Sequence, residues 1–460
     1  MTPYANRAYW IDAYGDYTPN PPLRSDAQVD VAVIGGGYVG LSTAWHLRRM
    51  DAATSVAVLE SEVIGYGASG RNGGWIIPQF GIDPLMVRAI YGREKAQRAI
   101  DYCDESYAYI RQIIQEQNFD CDYRESGILK LAIGQNGVKL IEKFKEQSEE
   151  TGHGEHLKWL DGAAIRQELE CEMVDAALYE SNVATMQPCK LNREWKRIAG
   201  EAGATVYEDT PAVSMDRSGD KIVIKTPRGT LTADRLVLAT NGFSHQLGGE
   251  IGRQVRRDQM PMTPVLHVTE PLSEERWQRV VSRTWQCPME TSFGLYHGHT
   301  PTPDRRLVFW YFQNVQTSAA DYMRPYEYDV DNRELAIKHL SAILPGLEGV
   351  KVAQTWGGPM SVTVDMVPHL GFLGRDTRVA LSTGCSGHGV STAMLHGKTL
   401  AELLLGKDTE RTNQWFVTRP KWRWPGAGLA TLGVKGFVGY MRLEHRMALK
   451  KTPLAQLHEA

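Results

Sequence analysis

A chain of 460 residues is too long for one ordinary core and suits two closely packed domains. Its formal net charge of −3 gives no support to a nucleic-acid partner, and 42% hydrophobic with 23% charged residues is the balance of a globular protein. The six cysteines (Cys103, Cys121, Cys171, Cys189, Cys287, Cys385) stand singly, without a CxxC pair or a metal-ligand spacing, which suits free thiols in a reducing compartment and no metal centre.

Residues 1–27 hold Pro3, Pro19, Pro21 and Pro22 and read as an extended N-terminal arm. They lack the basic start and apolar stretch of a signal peptide, and no run of about 18 apolar residues predicts a membrane span, so a cytoplasmic location is expected. Val29–Ile34 (VDVAVI) reads as a buried parallel strand. It runs into GGGYVG and the helically spaced LSTAWHLRRM, and Ser55–Glu60 (SVAVLE) is the next strand. Together they form a βαβ unit. From about residue 84 to 150 the pattern is helical and charged, with one strand-like piece, GILKLA. TVYE, KIVIKT and ADRLVLATNG add strands. Between about 246 and 350, PVLHVTE and RLVFWYFQ predict an antiparallel sheet in a second domain. RVALSTG returns to a buried strand, and CSGHG leads into an amphipathic helix stopped by Gly406. Residues 411–460 carry nine Lys/Arg against two Glu around several aromatics. This basic tail reads either as a solvated wrap or as a peripheral contact with the anionic inner face of a membrane.

Gly35, Gly37 and Gly40 form G-x-G-x-x-G between strand and helix, with Tyr38 and Val39 in the helix's first turn. The first glycine permits the turn, the second lets backbone approach a pyrophosphate, and the third lets helix and strand pack closely. The helix N-terminus offers free N–H groups and partial positive charge. Glu60, 20 residues after Gly40, is placed to accept hydrogen bonds from ribose hydroxyls. A purely structural glycine turn is the competing reading, and the strand–helix–strand–Glu context argues against it. The run Gly67, Ala68, Ser69, Gly70, Arg71, Asn72, Gly73 and Gly74 then predicts a loop whose backbone passes close under a flat ligand. Arg71 is expected to meet a pyrophosphate, with Ser69 and Asn72 donating to it or to the ligand's ring. The alternative is an ordinary glycine-rich surface loop.

Five pieces, DVAVIGGGYVGLSTAWHL, VLESEVIGYGASGRNGG, ADRLVLATNGFS, TWGGPMSVTVDMVPHLG and LSTGCSGHGVSTAMLHGKTLAELLLG, carry a resemblance over about residues 28–406. The chain resembles the D-amino-acid oxidase, glycine oxidase and sarcosine oxidase superfamily of FAD-dependent amine oxidoreductases, nearest to its γ-glutamylputrescine oxidoreductase-like members. The resemblance implies an α/β fold with an α+β second domain: a discontinuous Rossmann-type FAD-binding domain (28–82, 150–245 and 350–408) interleaved with an antiparallel-sheet substrate domain (83–149 and 246–349). The arm (1–27) and the tail (409–460) flank them.

It further implies that Gly35–Gly40, Glu60 and Gly67–Gly74 bind FAD, that Val213 gives main-chain hydrogen bonds to adenine, and that Ala239, Thr240, Asn241 and Gly242 line the same end. Ser386, Gly387, His388, Gly389 and Val390 are implied at the pyrimidine edge of the isoalloxazine. There a helix N-terminus also suits the negative charge of reduced flavin on physical grounds. His388 reads equally as a satisfied structural histidine. The implied reaction moves a hydride from the amine-bearing carbon to flavin N5 and releases an imine that hydrolyses. The amine must arrive neutral, so a dry aromatic pocket is expected. Trp75, Tyr296, Tyr311 and Trp356 are the substrate-site candidates, with Trp75, Tyr311 and His388 placed nearest the chemistry. Trp310 adjoins Tyr311, and strand alternation puts only one of the two inward. No arginine is marked by context as a carboxylate clamp.

One departure concerns the electron acceptor. Related sarcosine oxidases use a lysine above the flavin to promote reaction with oxygen, and this chain has no lysine between Lys225 and Lys338. A quinone or another acceptor therefore stands beside oxygen. Cys385 and His297 are candidates for covalent flavin attachment by proximity only. An FAD-dependent 2-hydroxy acid dehydrogenase and a flavin-bound partner with little turnover are the competing functions.

Overall fold

The computed structural model describes residues 8–81, 84–292, 297–316 and 330–425, with single positions between 429 and 450. The apolar runs that read as buried strands assemble into one sheet. Thr205–Tyr207, Val56–Leu59, Ala27–Ile34 and Gly229–Leu238 lie side by side in parallel, and Asp376–Thr383 joins the far end of Gly229–Leu238 in the same direction. Ile34 is in register with both Leu59 and Leu238, and Leu238 with Leu381, so these strands finish at a common edge. In open α/β sheets ligands bind beyond that carboxyl edge. The hairpin Ser214–Ser218 and Lys221–Thr226 extends the sheet antiparallel.

Both faces are covered because both are apolar. On one, Val31 and Val33 pack with Leu41 and Leu47 of the helix Tyr38–Met50, Trp195 of Pro188–Glu201, and Leu395 and Leu400 of the last helix, Gly389–Leu404. On the other, Ala32 and Leu236 meet Ile224, Ile251 and Val255. The Tyr38–Met50 and Gly389–Leu404 helices pack so closely that a Cβ on Gly397 would lie 2.6 Å from Ser42 Cβ, while Ser42 Oγ donates to the Met394 carbonyl at 2.6 Å.

The second sheet is mostly antiparallel. Its strands run in the order Val352–Gly357, Met260–Thr269, Leu307–Gln316, His297–Pro301, Met289–Thr291, Ile128–Ala132, Ala176–Glu180 and Leu157–Asp161. The helix Val330–Ile343 covers one side, its Ala336 and Leu340 packing in one core with Phe309 and Tyr311.

The sequence-based segmentation shifts in four places. The N-terminal arm is not extended throughout: Tyr9–Tyr14 is a short helix, and its Trp10 is buried with its indole N–H donating 2.8 Å to the Asn72 carbonyl. The helix Arg93–Glu116, expected with the second domain, puts Ala99, Tyr102, Cys103 and Ile110 into the core of the first. Conversely, Leu157–Asp161 and Ala176–Glu180, expected in the first domain, pair in the second sheet. Helical periodicity gave the faces of these elements but not which sheet they meet. The tail, too, is integral as far as Pro425. Phe416 is fully buried 5.0 Å from Phe80, Arg419 pairs with Asp365 at 2.7 Å, and Arg423 pairs with Asp258 at 3.1 Å.

Candidate functional site

A cavity of about 1120 Å³ runs from the carboxyl edge of the parallel sheet to the inner face of the second sheet. At its first end the chain turns sharply at Gly35, where φ is +106° and a Cβ would sit 2.7 Å from the Ala239 carbonyl oxygen. Only glycine takes that conformation without strain. A Cβ on Gly40 would lie 1.9 Å from the Gly35 oxygen, so this glycine serves strand–helix packing. Gly37 differs: its φ of −80° suits any residue, but its α-hydrogen faces the cavity wall and Ser69 Oγ. Ser69 Oγ in turn accepts the Tyr38 N–H at 3.1 Å.

Glu60 closes this end. Its Oε2 accepts the Gly36 N–H at 2.8 Å and its Oε1 the Glu62 N–H at 3.1 Å, and burial raises the carboxyl above its ordinary range against those two donors. Both hydrogen bonds fix the carboxylate at the cavity wall with acceptor capacity left over. Asn192 tightens the same turn, its amide donating to the Gly36 carbonyl at 3.0 Å. Gly67, Ala68, Ser69, Asn72 and Gly73 line the next stretch of wall. Asn72 is spent on the loop itself: its Oδ1 accepts Gly74 N–H at 2.9 Å and its amide donates to the Ala68 and Ser69 carbonyls. Gly70 and Gly74 support the loop from behind, and a Cβ on Gly70 would lie 1.9 Å from the Gly65 oxygen.

Opposite stands the N-terminus of the last helix. Gly384, Ser386 and Gly387 all have positive φ, and this tight turn sets His388 at the N-cap of Gly389–Leu404. Asn241 braces the turn through Ser361, whose Oγ donates to Asn241 Oδ1 at 2.5 Å and accepts Gly384 N–H at 2.7 Å. Gly387, His388, Gly389 and Val390 line the cavity, as do Ala239, Thr240 and Asn241; Ser386 and Gly242 lie behind it, buried. Burial holds the His388 imidazole below its ordinary pKa and therefore neutral, reinforced by Lys130 and opposed by Glu290.

Trp75 and Trp310 form an aromatic wall, their rings 4.6 Å apart at 58°. The Trp75 indole N–H donates to Thr300 Oγ1 at 2.7 Å, which fixes its ring. Trp310 is seated between two glycines: a Cβ on Gly73 would come within 2.7 Å of its ring and one on Gly298 within 2.3 Å.

Three expected site residues point elsewhere. Tyr311 is on the opposite face of its strand from Trp310, buried in the second core and stacked on His339 at 4.8 Å. Trp356 is also buried away from the cavity, its indole donating to the Arg71 carbonyl at 2.9 Å. Arg71 does not face a phosphate position. Its guanidinium donates to the Tyr66 and Gly357 carbonyls at 2.5 and 3.3 Å, tying the glycine loop to the second sheet. Val213 lines the cavity, yet its N–H already donates to the Lys225 carbonyl at 2.8 Å, leaving the carbonyl as its main-chain contact. Tyr296 and the side chain of His297 lie outside the described residues. Cys385 lines the cavity and accepts from the Asn241 amide at 3.3 Å. Sequence reasoning missed Asn192, Lys130, Glu180 and Glu290. For Lys130 a signal existed, a lone charge inside the apolar strand GILKLA.

The fit of a dinucleotide can be tested on this cavity. Two backbone approaches filled by any Cβ, a pinned carboxylate 20 residues on, and two helix N-termini facing one elongated space are what a flavin dinucleotide requires. Residues 30–403 match the family model described as FAD dependent oxidoreductase. The chain belongs to that family. FAD is its cofactor, and it is an FAD-dependent oxidoreductase. Among curated relatives, the chain is 32% identical over 425 residues to a gamma-glutamylputrescine oxidoreductase of Escherichia coli, covering 91% of this chain and 93% of that protein. It is 25% identical to a glycine oxidase of Bacillus licheniformis, over 84% and 95% of the two chains. Among solved structures, glycine oxidase from Geobacillus kaustophilus superposes with a TM-score of 0.71 at 19% identity, covering 86% of this chain and 99% of that one. An FAD-bound L-alpha-glycerophosphate oxidase from Mycoplasma pneumoniae superposes with a TM-score of 0.67 at 13% identity, over 86% and 100%. These two likenesses establish the shared fold. The glycine turn, Glu60 and the Gly387–Val390 helix start all line one cavity.

Proposed function

We propose that this FAD-dependent oxidoreductase oxidises the carbon next to the nitrogen of an extended amine, giving an imine that hydrolyses to an aldehyde or keto product. The observation that carries the reading is that the aromatic pair Trp75 and Trp310 and the Gly387–Val390 helix start line one cavity. The relatives named for gamma-glutamylputrescine and glycine oxidation support the amine class. FAD, when bound, supplies the acceptor for the hydride leaving the amine-bearing carbon.

Gly35–Gly40 and Glu60 would hold its pyrophosphate and ribose, Gly67–Gly74 its central portion, and Gly387–Val390 its pyrimidine edge. The indoles exclude water around the reacting nitrogen, and desolvation favours the neutral amine, whose lone pair supports departure of the hydride. Trp75, pinned by Thr300, fixes one side of the space in which the amine is oriented. Neutral His388 adds no competing positive charge there. An amine panel tests the reading by its products: turnover is expected to release ammonia or a smaller amine together with a carbonyl compound. Turnover of 2-hydroxy acids with no reaction of any amine would contradict it.

The electron acceptor is oxygen or a quinone-type compound, and the tail favours the second. Among the described residues no helix is long and apolar enough to cross a membrane. Leu429, Leu432, Tyr440, Leu443 and Met447 are helical and exposed, and at 100° per residue they fall within an arc of about 80°. With five Lys/Arg against two Glu over 426–460, this stripe suits a basic helix lying on an anionic bilayer. The full chain is expected to float with anionic vesicles, and a chain ending at Pro425, which keeps Phe416 buried, is expected not to. Equal flotation of the two would remove the membrane contact.

A further inference from the structure

The inner face of the second sheet carries a charge cluster that hydride removal does not use. Lys130 and Glu290 are register partners on neighbouring strands, and Glu180 lies on the strand at the other side of Lys130. The Lys130 ammonium is 2.5 Å from Glu290 Oε1 and 3.3 Å from Glu180 Oε2, and lies 4.6 Å above the Phe144 ring. Lys130 and Glu180 are only 6% and 7% exposed. Burial alone would lower the lysine's pKa, but Glu290 and Glu180 more than offset it and keep the ammonium charged. Two carboxylates on one ammonium leave an excess negative charge in a site sheltered from water. That arrangement is costly unless a further cation completes it.

The cluster faces the cavity, not the protein core. Lys130, Glu180, Glu290, Asn182 and His388 all line it, and the His388 ring lies within the electrostatic reach of Glu290 and Lys130. Acceptors remain unused there: Glu180 Oε2 meets Lys130 only as an unaligned ion pair, and the buried Asn182 Oδ1 has no hydrogen-bond partner among the described residues. A carboxylate on the substrate would find Lys130 already saturated by two like charges. An ammonium would meet a surplus carboxylate and a buried amide oxygen that lacks a hydrogen-bond partner among the described residues.

We propose that Lys130, Glu180, Glu290 and Asn182 form a subsite for a second, protonated amino group of the substrate, remote from the carbon that is oxidised. This rests on the amine reading above and narrows it to diamines and to amines carrying a distant ammonium. It also divides the cavity by protonation state: the aromatic end takes a neutral nitrogen and the Glu180–Glu290 end a charged one. A symmetrical diamine is thereby oriented with one end reacting and the other held.

The test uses the holoenzyme with an α,ω-diamine and a monoamine of equal carbon number. The diamine is expected to be favoured at least about tenfold in kcat/KM, mainly through KM. Glu290→Gln and Asn182→Leu are expected to lower kcat/KM for the diamine at least about fivefold more than for the monoamine. Asn182→Leu leaves the ion pairs intact and so keeps the test available if Glu290→Gln misfolds. Independently of turnover, titration calorimetry with a diamine fully substituted on both α-carbons, which cannot be oxidised, is expected to show binding that weakens at least about fivefold in Asn182→Leu. Equal kcat/KM for diamine and monoamine, with both variants changing them alike, would overturn the subsite while leaving amine oxidation standing. Binding of the blocked diamine without turnover of any amine would overturn the proposed reaction and leave the subsite.

Discussion

Gly37→Val is expected to yield a folded protein that purifies without flavin. Gly37 has φ −80°, so a valine there meets no backbone strain, unlike a side chain at Gly35 with φ +106°. Its Cβ would press on Ser69 Oγ at 2.8 Å, displacing the acceptor of the Tyr38 N–H, and its methyl groups would enter the part of the cavity proposed to hold the pyrophosphate. The loss falls on cofactor affinity, by about 100-fold or more, equivalent to about 3 kcal/mol. Flavin content after gel filtration and FAD titration of the apoprotein measure it. The circular-dichroism spectrum is expected to match that of the parent apoprotein. A variant that retains stoichiometric FAD would show that the cofactor does not cross this turn.

The turn was legible from sequence because its requirements are local. Gly35, Gly37 and Gly40 satisfy constraints within a few residues of themselves, and Glu60 follows at a distance set by one helix. The second-sheet side was less legible because its partners are far apart in the chain. Trp310 and Tyr311 illustrate the difficulty. Alternation dictates that one faces inward, but the parity is set by Gly73 and Gly298, whose missing side chains make room for the Trp310 indole. Lys130, Glu180 and Glu290 are brought together by strand pairing across 160 residues, which no local pattern encodes. Arg71 and Trp356 were misread for a related reason. Both have the chemistry of ligand-binding residues, and both are used to join the glycine loop to the second sheet.

Stability is expected to fall steeply as the solution is acidified through the histidine range. Burial depresses His267, His369 and His396 to about 3 and His299 to about 4, and holds His46 well below its ordinary value of 6.5. The sign follows from linkage. These imidazoles stay neutral in the folded protein but take up protons in the unfolded chain below about pH 6.5. Their contribution is therefore complete above that value and is lost progressively as pH falls toward 4. Each can contribute a slope of up to about 1.4 kcal/mol per pH unit where only the unfolded chain is protonated. Glu60 and Glu62, raised by burial, and His153, raised by its hydrogen bond to Asp104, work in the opposite direction, three groups against five. Urea midpoints are expected to be nearly level from pH 8 to 7 and to drop sharply between pH 6 and 5. Midpoints that hold or rise across that interval would mean the histidines are accessible to protons in the native state.

The most direct test of the account is anaerobic mixing of the holoenzyme with an extended primary diamine while the oxidised-flavin absorbance is followed. Bleaching at a rate that rises with diamine concentration, and that exceeds any bleaching by a 2-hydroxy acid of similar length, is the predicted result. An absorbance unchanged by the diamine but lost with the hydroxy acid would contradict it.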